Sequence, residues 1–208
     1  MSAGRIARKI LGRHFPLFGD AYRKIFVNMD KVVSYMIHQI PTNANVLDVG
    51  GGDGYVANLL LSKRSDIRVT ITDIASNVGS FVEHTNRNRL TVHPSTDISE
   101  LQGKFDVITI TDVIHHVPTA LRQEFFAKIS SVGKEVGCSK IIVKDIEPEG
   151  FRAKLALLGD LFITGDRNVV QLSANEILFP NFTKSDWAMP DFPNYCITFL
   201  SENVTNLR

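Results

Sequence analysis

Residues 46–54 read VLDVGGGDG, an apolar run that passes directly into a turn crowded with glycines. Residues 46–49 have the composition of a buried strand, and residues 54–63 have helical spacing. Glycine in such a turn lets the backbone bend tightly and approach a ligand closely. In an open α/β sheet, ligands bind outside the carboxyl ends of the strands. The stretch therefore predicts a ligand-binding strand–turn–helix unit.

Short apolar runs alternate with helical segments along the rest of the chain. Strands are predicted over residues 67–72, 90–93, 105–111 and 140–144, with a helix over residues 119–131. This alternation predicts a parallel sheet with helices on both faces. Two last strands, 183–189 and 195–200, are joined by a connection too short for a parallel crossover, so they should pair antiparallel. The fold class is α/β: a Rossmann-like, seven-stranded, mostly parallel sheet with an antiparallel last strand.

The 208 residues suit one domain with a helical N-terminal cap. We assign residues 1–40 to the cap, which includes a shorter helix around residues 6–11, and residues 41–208 to the main domain. A substrate-cap insertion occupies about 149–180, where residues 151–162 look helical and Ser173 and Glu176 have capping-box spacing. The apolar side chains of the insertion could pack on the sheet, contact an apolar acceptor or form a homodimer interface.

Charge and composition exclude several functional classes. The formal net charge is +1, and no basic stripe with interleaved aromatic residues follows the N-terminal segment, so no nucleic-acid partner is expected. Apolar runs fall far below the roughly 18 residues of a membrane-spanning helix, and no membrane association is expected. Without an export signal, a cytoplasmic protein is expected. Cys138 and Cys196 are interpreted as reduced core thiols.

The glycine-rich turn carries a family resemblance. Asp48, Gly50, Gly52 and Gly54 form the pattern Asp-x-Gly-x-Gly-x-Gly, which resembles the nucleotide-binding motif of class I S-adenosylmethionine-dependent methyltransferases. Asp73, which ends the second predicted strand, stands where that family places an acid on the ribose hydroxyls. The ordered motifs extend over roughly residues 45–147. The resemblance implies S-adenosylmethionine as the cofactor and methyl transfer as the reaction.

Further cofactor contacts are implied by the same resemblance. Asp97 follows the third strand, where the family places an acid near the adenine amino group, and Ile74 and Ile98 would sandwich the adenine. Asp112 ends the fourth strand and could contact the amino-acid end of the cofactor or the substrate. It opens the stretch DVIHHVP, which is similar to small-molecule methyltransferases such as those of quinone biosynthesis. An acidic turn suits the positive ammonium and sulfonium of this cofactor.

A dinucleotide site is the competing interpretation of the glycine turn. Gly52-x-Gly54-x-x-Ala57 matches the dinucleotide fingerprint, and Asp73 would serve as its ribose acid. Asp53, however, would place negative charge beside a pyrophosphate. Asp48 within the turn and the terminal hairpin also favour the methyltransferase.

His115 and His116 are the candidate catalytic bases. Methyl transfer from a sulfonium is an in-line displacement, so the protein must align the acceptor atom with the methyl group and remove a proton only where the acceptor carries one. Histidine, with an unperturbed pKa of about 6.5, suits proton transfer near neutrality. Because adjacent side chains there should point in different directions, at most one is expected to face the substrate.

No metal site is predicted. His93, Asp112, His115 and Asp145 stand at different strand ends without a compact ligand spacing.

The Asn/Asp-Pro-Pro-Tyr tetrapeptide typical of amino methyltransferases that act on nucleic-acid bases is absent after the fourth strand.

The sequence therefore predicts an S-adenosylmethionine-dependent methyltransferase that acts on a small molecule of apolar character, with oxygen as the favoured acceptor atom. The alternatives are C- or N-methylation of a small metabolite, and a catalytically silent partner protein that binds the cofactor.

Overall fold

The chain folds around one sheet. The computed structural model describes residues 28–73, 77–95, 98, 101, 103–155 and 169–205. Its first half contains α1 (Met29–Gln39), β1 (Asn45–Val49), α2 (Tyr55–Lys63), β2 (Arg68–Thr72), a 3-10 helix (His84–Arg89) and β3 (Leu90–His93). Its second half contains β4 (Val107–Thr111), 3-10 helices (Ile114–His116 and Thr119–Leu121), α3 (Arg122–Glu135), β5 (Lys140–Ile146), β6 (Phe182–Asp191), β7 (Asn194–Ser201) and α4 (Glu202–Thr205).

The seven strands lie in the order β3-β2-β1-β4-β5-β7-β6. Strands β1 to β5 pair in parallel, and β7 pairs antiparallel with both β5 and β6. The predicted fold class, including the antiparallel last strand, is confirmed. Because the parallel strands share one direction, the carboxyl ends of β1, β2, β4 and β5 meet at a single edge of the sheet.

Helices cover both faces of the sheet, which explains the continuous apolar runs in its strands. Val46 packs with α1 and α2 on one face, whereas its neighbour Leu47 packs with α3 on the other, and both side chains are fully buried. Within the described ranges, no helix is long and apolar enough to cross a bilayer.

Helix α1 is part of the core, and none of its residues lines the cavity described below. Its side chains Val32, Val33 and Met36 are fully buried against the sheet and α2. The Tyr35 hydroxyl shares a 3.0 Å hydrogen bond with Thr198 of β7. The described part of the predicted N-terminal cap therefore covers a face of the sheet. The shorter helix predicted around residues 6–11 lies outside the described residues.

Two predicted helices differ in the structure. The segment predicted over residues 119–131 begins as a 3-10 turn and continues as α3 to Glu135. The Glu176 carboxylate does accept the Ser173 amide N–H at 2.9 Å, as in a capping box, but only a turn over residues 174–176 follows. No helix follows the box at residues 177–179, where Ile177 and Phe179 are buried in the core before β6.

The insertion is described at its two ends. A helix was predicted over residues 151–162. Residues 151–155 are helical, and residues 156–162 lie outside the described residues.

Truncation of Met36 tests whether α1 belongs to the core. Met36→Ala is expected to lower the free energy of unfolding by about 2–5 kcal/mol, because it removes a fully buried side chain. Urea denaturation measures the change. Ser34→Ala, on the exposed face of the same helix, is the control and should change stability by less than about 0.5 kcal/mol. Equal effects of the two substitutions would contradict a core role for α1.

Candidate functional site

The turn after β1 depends on glycine for its shape. Gly50, Gly52 and Gly54 all have positive φ, at 71°, 53° and 86°. A Cβ on Gly54 would lie 2.7 Å from the Val82 side chain and 3.0 Å from the Gly79 backbone. The backbone conformation and the close packing therefore both exclude larger residues. The turn lies at the edge of the sheet where the parallel strands end.

Asp73 links the end of β2 to this turn. Its carboxylate accepts a 2.9 Å hydrogen bond from the Gly52 N–H, and the Gly50 N–H donates to the Thr72 carbonyl at 2.7 Å. The turn is thus fastened to β2 by two bonds. The Asp73 side chain also lines the neighbouring cavity.

Asp48 is a fully buried carboxylate below the glycine turn. Thr109 on β4 donates a 2.8 Å hydrogen bond to its Oδ1, whereas its Oδ2 has no hydrogen-bond partner among the described residues. Burial raises the pKa of Asp48 to about 6; the Thr109 hydrogen bond opposes this effect and the charge of Asp73 adds to it. A cation bound near the turn would compensate this poorly solvated negative charge.

A cavity of about 870 Å³ opens beside the turn at the strand ends. That volume lies within the range of small-molecule and cofactor sites. Its lining comprises Val49, Gly50, Thr72, Asp73, Ile98, Asp112, Val113, His116, Val117, Pro118, Leu121, Phe125, Lys128 and Ile129. Most of this surface is apolar, and the two carboxylates lie at the carboxyl ends of β2 and β4.

The cavity brings together part of the predicted site. The predicted residues that line it are Gly50, Asp73, Ile98, Asp112 and His116. Asp48, Gly52 and Gly54 instead shape and support the turn beside it. Ile74 and Asp97 lie outside the described residues.

The apolar wall of the cavity was not assigned to the site from sequence. Leu121, Phe125 and Ile129 come from the segment that leads into and forms α3, and their spacing marks one helical face. Apolar residues at helical spacing indicate a helix face that is shielded from water. This pattern does not distinguish a face packed in the core from one that lines a binding site.

The two candidate histidines have different surroundings. His116 lines the cavity, whereas His115 is buried and its Nδ1 lies 2.5 Å from Asp145 Oδ1. Their ring centroids are 4.3 Å apart, with planes tilted by 49°. Only one of the pair therefore faces the cavity, and the other lies directly behind it.

Asp145 remains ionised despite complete burial. Burial opposes its ionisation, but the charge and hydrogen bond of His115 outweigh this effect, with help from Lys144, and keep the pKa of Asp145 below its ordinary value. The Asp145 Oδ1 also accepts the Ile146 N–H at 2.8 Å. This pair provides a fixed, charged support behind His116.

The sequence predicted that His93, Asp112, His115 and Asp145 are scattered, and for all but His93 this prediction is wrong. Asp112, His115 and Asp145 each offer a donor atom within 4.8 Å of the others, a spacing that could hold a metal ion. The ends of β4 and β5 are adjacent in the sheet, and the short turn after β4 returns His115 towards both. The Lys144 ammonium lies at the same place, 2.5 Å from Asp112 Oδ1.

The described C-terminal part of the insertion is fastened to the histidine turn. Val170 donates its N–H to the His115 carbonyl at 3.1 Å, and its carbonyl accepts a hydrogen bond from the buried Arg122 guanidinium. The Glu147 carboxylate accepts the Ala174 N–H at 3.1 Å. The insertion therefore returns to the sheet beside the candidate base.

Comparison with known proteins agrees with this geometry. A family of methyltransferase domains matches residues 22–137, more than half of the chain. A malonyl-[acyl-carrier protein] O-methyltransferase from Acetivibrio thermocellus is 31% identical over 109 residues. That match covers 50% of this chain and 38% of the relative, so the matched segment spans well under half the length of that protein.

Solved structures show the same fold. Magnesium protoporphyrin IX methyltransferase from Synechocystis PCC 6803, with bound SAH, gives a TM-score of 0.60 at 19% identity, over 93% of this chain and 99% of that one. An N,N-8-amino-8-demethyl-D-riboflavin dimethyltransferase from Streptomyces davawensis gives 0.68 at 13% identity, over 86% and 55%.

The sheet order and the glycine turn beside a strand-end cavity define a Rossmann-like nucleotide-binding α/β domain. The chain belongs to the methyltransferase domain family. The predicted family is confirmed, and the structures of magnesium protoporphyrin IX methyltransferase with bound SAH and with bound SAM agree with the predicted cofactor.

Asp48→Asn should stabilise the ligand-free protein in a pH-dependent way. The pKa of Asp48 in the native state is raised from 3.8 to about 6, so between these pH values the native state binds more protons than the unfolded state. The free energy of unfolding of the wild type therefore falls as pH rises through this window. Above pH 6 the penalty reaches about 3 kcal/mol, and asparagine removes it. The increase in the free energy of unfolding that Asp48→Asn gives over wild type should therefore be larger at pH 8 than at pH 4. A difference independent of pH would contradict this assignment.

Proposed function

We propose that the chain transfers the methyl group of S-adenosylmethionine to an oxygen atom of a small acceptor with apolar character. The observation that carries the proposal is the strand-end cavity, which is lined by Gly50, Asp73 and His116 together. The groups proposed to bind the cofactor and to accept a proton therefore line one cavity. The apolar wall formed by Leu121, Phe125 and Ile129 supports an apolar ligand surface.

The residues of the turn suit this cofactor. Bound S-adenosylmethionine supplies an electrophilic methyl group on a positively charged sulfur. Asp73 presents a carboxylate that can accept hydrogen bonds from ribose hydroxyls. Gly50 allows a ligand to approach the backbone closely, and the buried Asp48 below the turn favours a positive group such as the cofactor ammonium. The carboxylates disfavour the pyrophosphate of a dinucleotide.

His116 is the group that we assign to proton removal. When the acceptor is a hydroxyl, bound S-adenosylmethionine would supply the methyl group, and the imidazole of His116 would take up the hydroxyl proton. His116 lines the cavity and can approach a bound acceptor, whereas the buried His115 does not line it. Alignment of the acceptor against the methyl group is the second requirement, and the cavity walls serve it.

His115 and Asp145 position the base. The His115 ring packs against His116 with centroids 4.3 Å apart, and the 2.5 Å bond to Asp145 fixes the orientation of that ring. The backbone of the same turn is held by Val170. The orientation of His116 is therefore set by the buried His115–Asp145 pair and by the backbone bond from Val170.

The oxygen acceptor is supported by one relative in particular. The Acetivibrio thermocellus protein is an O-methyltransferase, and it is 31% identical to this chain over 109 residues. Two kinds of oxygen acceptor differ in chemistry: a hydroxyl carries a proton near neutrality, whereas a carboxylate does not. The need for His116 therefore distinguishes the two acceptor classes. The homodimer, the absence of a nucleic-acid partner and the cytoplasmic location stay predictions from the sequence.

Calorimetric titration tests the cofactor site. Wild type is expected to bind S-adenosylmethionine and its demethylated product and not NADH. Asp73→Ala should weaken cofactor binding by about 1.5–3 kcal/mol, the value of hydrogen bonds to a charged group. Asp53→Ala is the matched control from the same turn, because the Asp53 carboxylate accepts the Tyr55 N–H and does not line the cavity. Binding of NADH alone would overturn the proposal.

Substitution of the two histidines tests the base with a phenolic acceptor and the corresponding carboxylic acid, each drawn from a panel screened with wild type. His116→Gln should lower kcat for the phenol by about 10²–10⁴-fold, because it removes a general base. Transfer to the carboxylate should be nearly unchanged. His115→Gln and Asp145→Asn should lower kcat for the phenol by up to about a hundredfold through misplacement of His116.

The outcomes separate the alternatives. A wild-type rate for His116→Gln with the phenol would refute its role as the base. Cofactor binding without turnover of any acceptor by wild type would instead favour the silent partner protein.

A further inference from the structure

Lys144 is a fully buried lysine that the proposed proton transfer does not use. Its side chain has no exposed surface, although it lies on β5 only one residue before Asp145. Lysine is almost never fully buried unless it is paired, because removal of an ammonium from water is costly. Its 2.5 Å contact with Asp112 supplies the pairing. The cavity-lining carboxylate therefore has a cation held behind it by the sheet.

Lys144 holds Asp112 at two points. The Asp112 N–H donates to the Lys144 carbonyl at 3.0 Å, and the Asp112 carboxylate receives the Lys144 ammonium. Asp112 has a φ of 56°, a left-handed conformation that is uncommon for residues other than glycine. This conformation persists only where the surroundings impose it. The two contacts direct a carboxylate that is 38% exposed towards the cavity.

The ammonium also lies within a cluster that otherwise resembles a cation site. Asp112, His115 and Asp145 have donor atoms within 4.8 Å of one another. Lys144 contacts the first of these directly, and its charge favours the ionised form of the third, where it helps keep the pKa of Asp145 low. Without a nearby cation, the carboxylates of Asp112 and Asp145 would repel each other when both are ionised.

We propose that Lys144 is a positioning residue that acts as the internal cation of this cluster, and that it holds Asp112 in place for the cofactor. In this proposal the covalently attached ammonium, which contacts Asp112 and acts on Asp145 through its charge, compensates the negative charge of the cluster in place of a divalent ion. The proposal deepens the proposed function, on which it rests, because Asp112 lines the cofactor cavity. It also makes a claim about cation binding that does not depend on methyl transfer.

The test replaces the ammonium by an apolar group of similar length. Lys144→Met should create a site for Mn²⁺, because the three donors lose their cation while their spacing is kept. Titration with MnCl2, followed by electron paramagnetic resonance, should show binding to the variant and none to wild type. Lys144→Arg keeps a cation and should not bind Mn²⁺. The double variant Lys144→Met with Asp112→Asn loses one donor and should bind it at least about tenfold more weakly, equivalent to 1.4 kcal/mol.

Cofactor affinity provides the second readout. Without Mn²⁺, Lys144→Met should bind S-adenosylmethionine about tenfold more weakly than wild type, a loss of 1.4 kcal/mol. Addition of MnCl2 should restore most of that affinity, and Lys144→Arg should retain it. A merely structural lysine would show neither effect of the metal. Failure of S-adenosylmethionine to bind wild type would contradict the proposed function, whereas Mn²⁺ binding would still report on the cluster.

Two results would overturn the inference: a folded Lys144→Met that binds no Mn²⁺, or a wild type that binds it equally well. If Lys144→Met does not fold, the double variant decides. Removal of the Asp112 charge should then restore folded protein, as judged by circular dichroism, because the repulsion between carboxylates is relieved. If both variants fail to fold, Lys144 does not act as the counter-cation.

Discussion

The close approach of the glycine turn to its neighbours is the constraint on which the site depends. A Cβ on Gly50 would lie 2.5 Å from the Val113 side chain, and one on Gly54 would meet Val82 and the Gly79 backbone. The turn is therefore wedged between the end of β4 and the loop that follows β2. This packing places the cavity where three strand ends meet, and Asp48 is buried as a consequence. A ligand bound there contacts the backbone of one strand end and the side chains of two others.

The buried charges form two pairs on adjacent residues of β5. Successive side chains of a strand point to opposite sides, so Lys144 and Asp145 reach different partners, Asp112 and His115. One pair ends at the cavity through Asp112, and the other ends there through the contact of His115 with His116. Because each buried charge requires its partner, the loss of any one member would leave an uncompensated charge. Asp112 and His116, which line the cavity, are therefore held by buried charged groups: Asp112 by Lys144, and His116 by the His115–Asp145 pair.

The sequence predicted the architecture well, because apolar runs and glycine turns are local signals. The strand alternation indicated a parallel sheet, and the short connection before β7 indicated the antiparallel pair. The same local signal failed at Ser173 and Glu176, where burial of Ile177 and Phe179 overrides the capping box. Local pattern determines an element only where tertiary packing does not oppose it.

The site was predictable only in part, because its contacts join distant segments. Strand ends could be identified as carriers of Asp73, Asp112 and the histidines, but the sequence did not show which histidine faces inward. Nor did it show that Asp145 lies behind His115, since that pair spans 30 residues. Lys144 gave no signal, because a lysine within an apolar strand is equally consistent with an exposed position.

The attachment of the insertion explains how acceptor choice can vary independently of cofactor binding. The glycine turn is fastened to β2 through Thr72 and Asp73, whereas Val170 is fastened to the histidine turn through His115 and Arg122. These two sets of contacts share no residue. Changes close to Val170 would therefore act on the histidine turn through the second set, which is separate from the contacts of the glycine turn. A fold arranged in this way can change its acceptor while the geometry of its cofactor site is preserved.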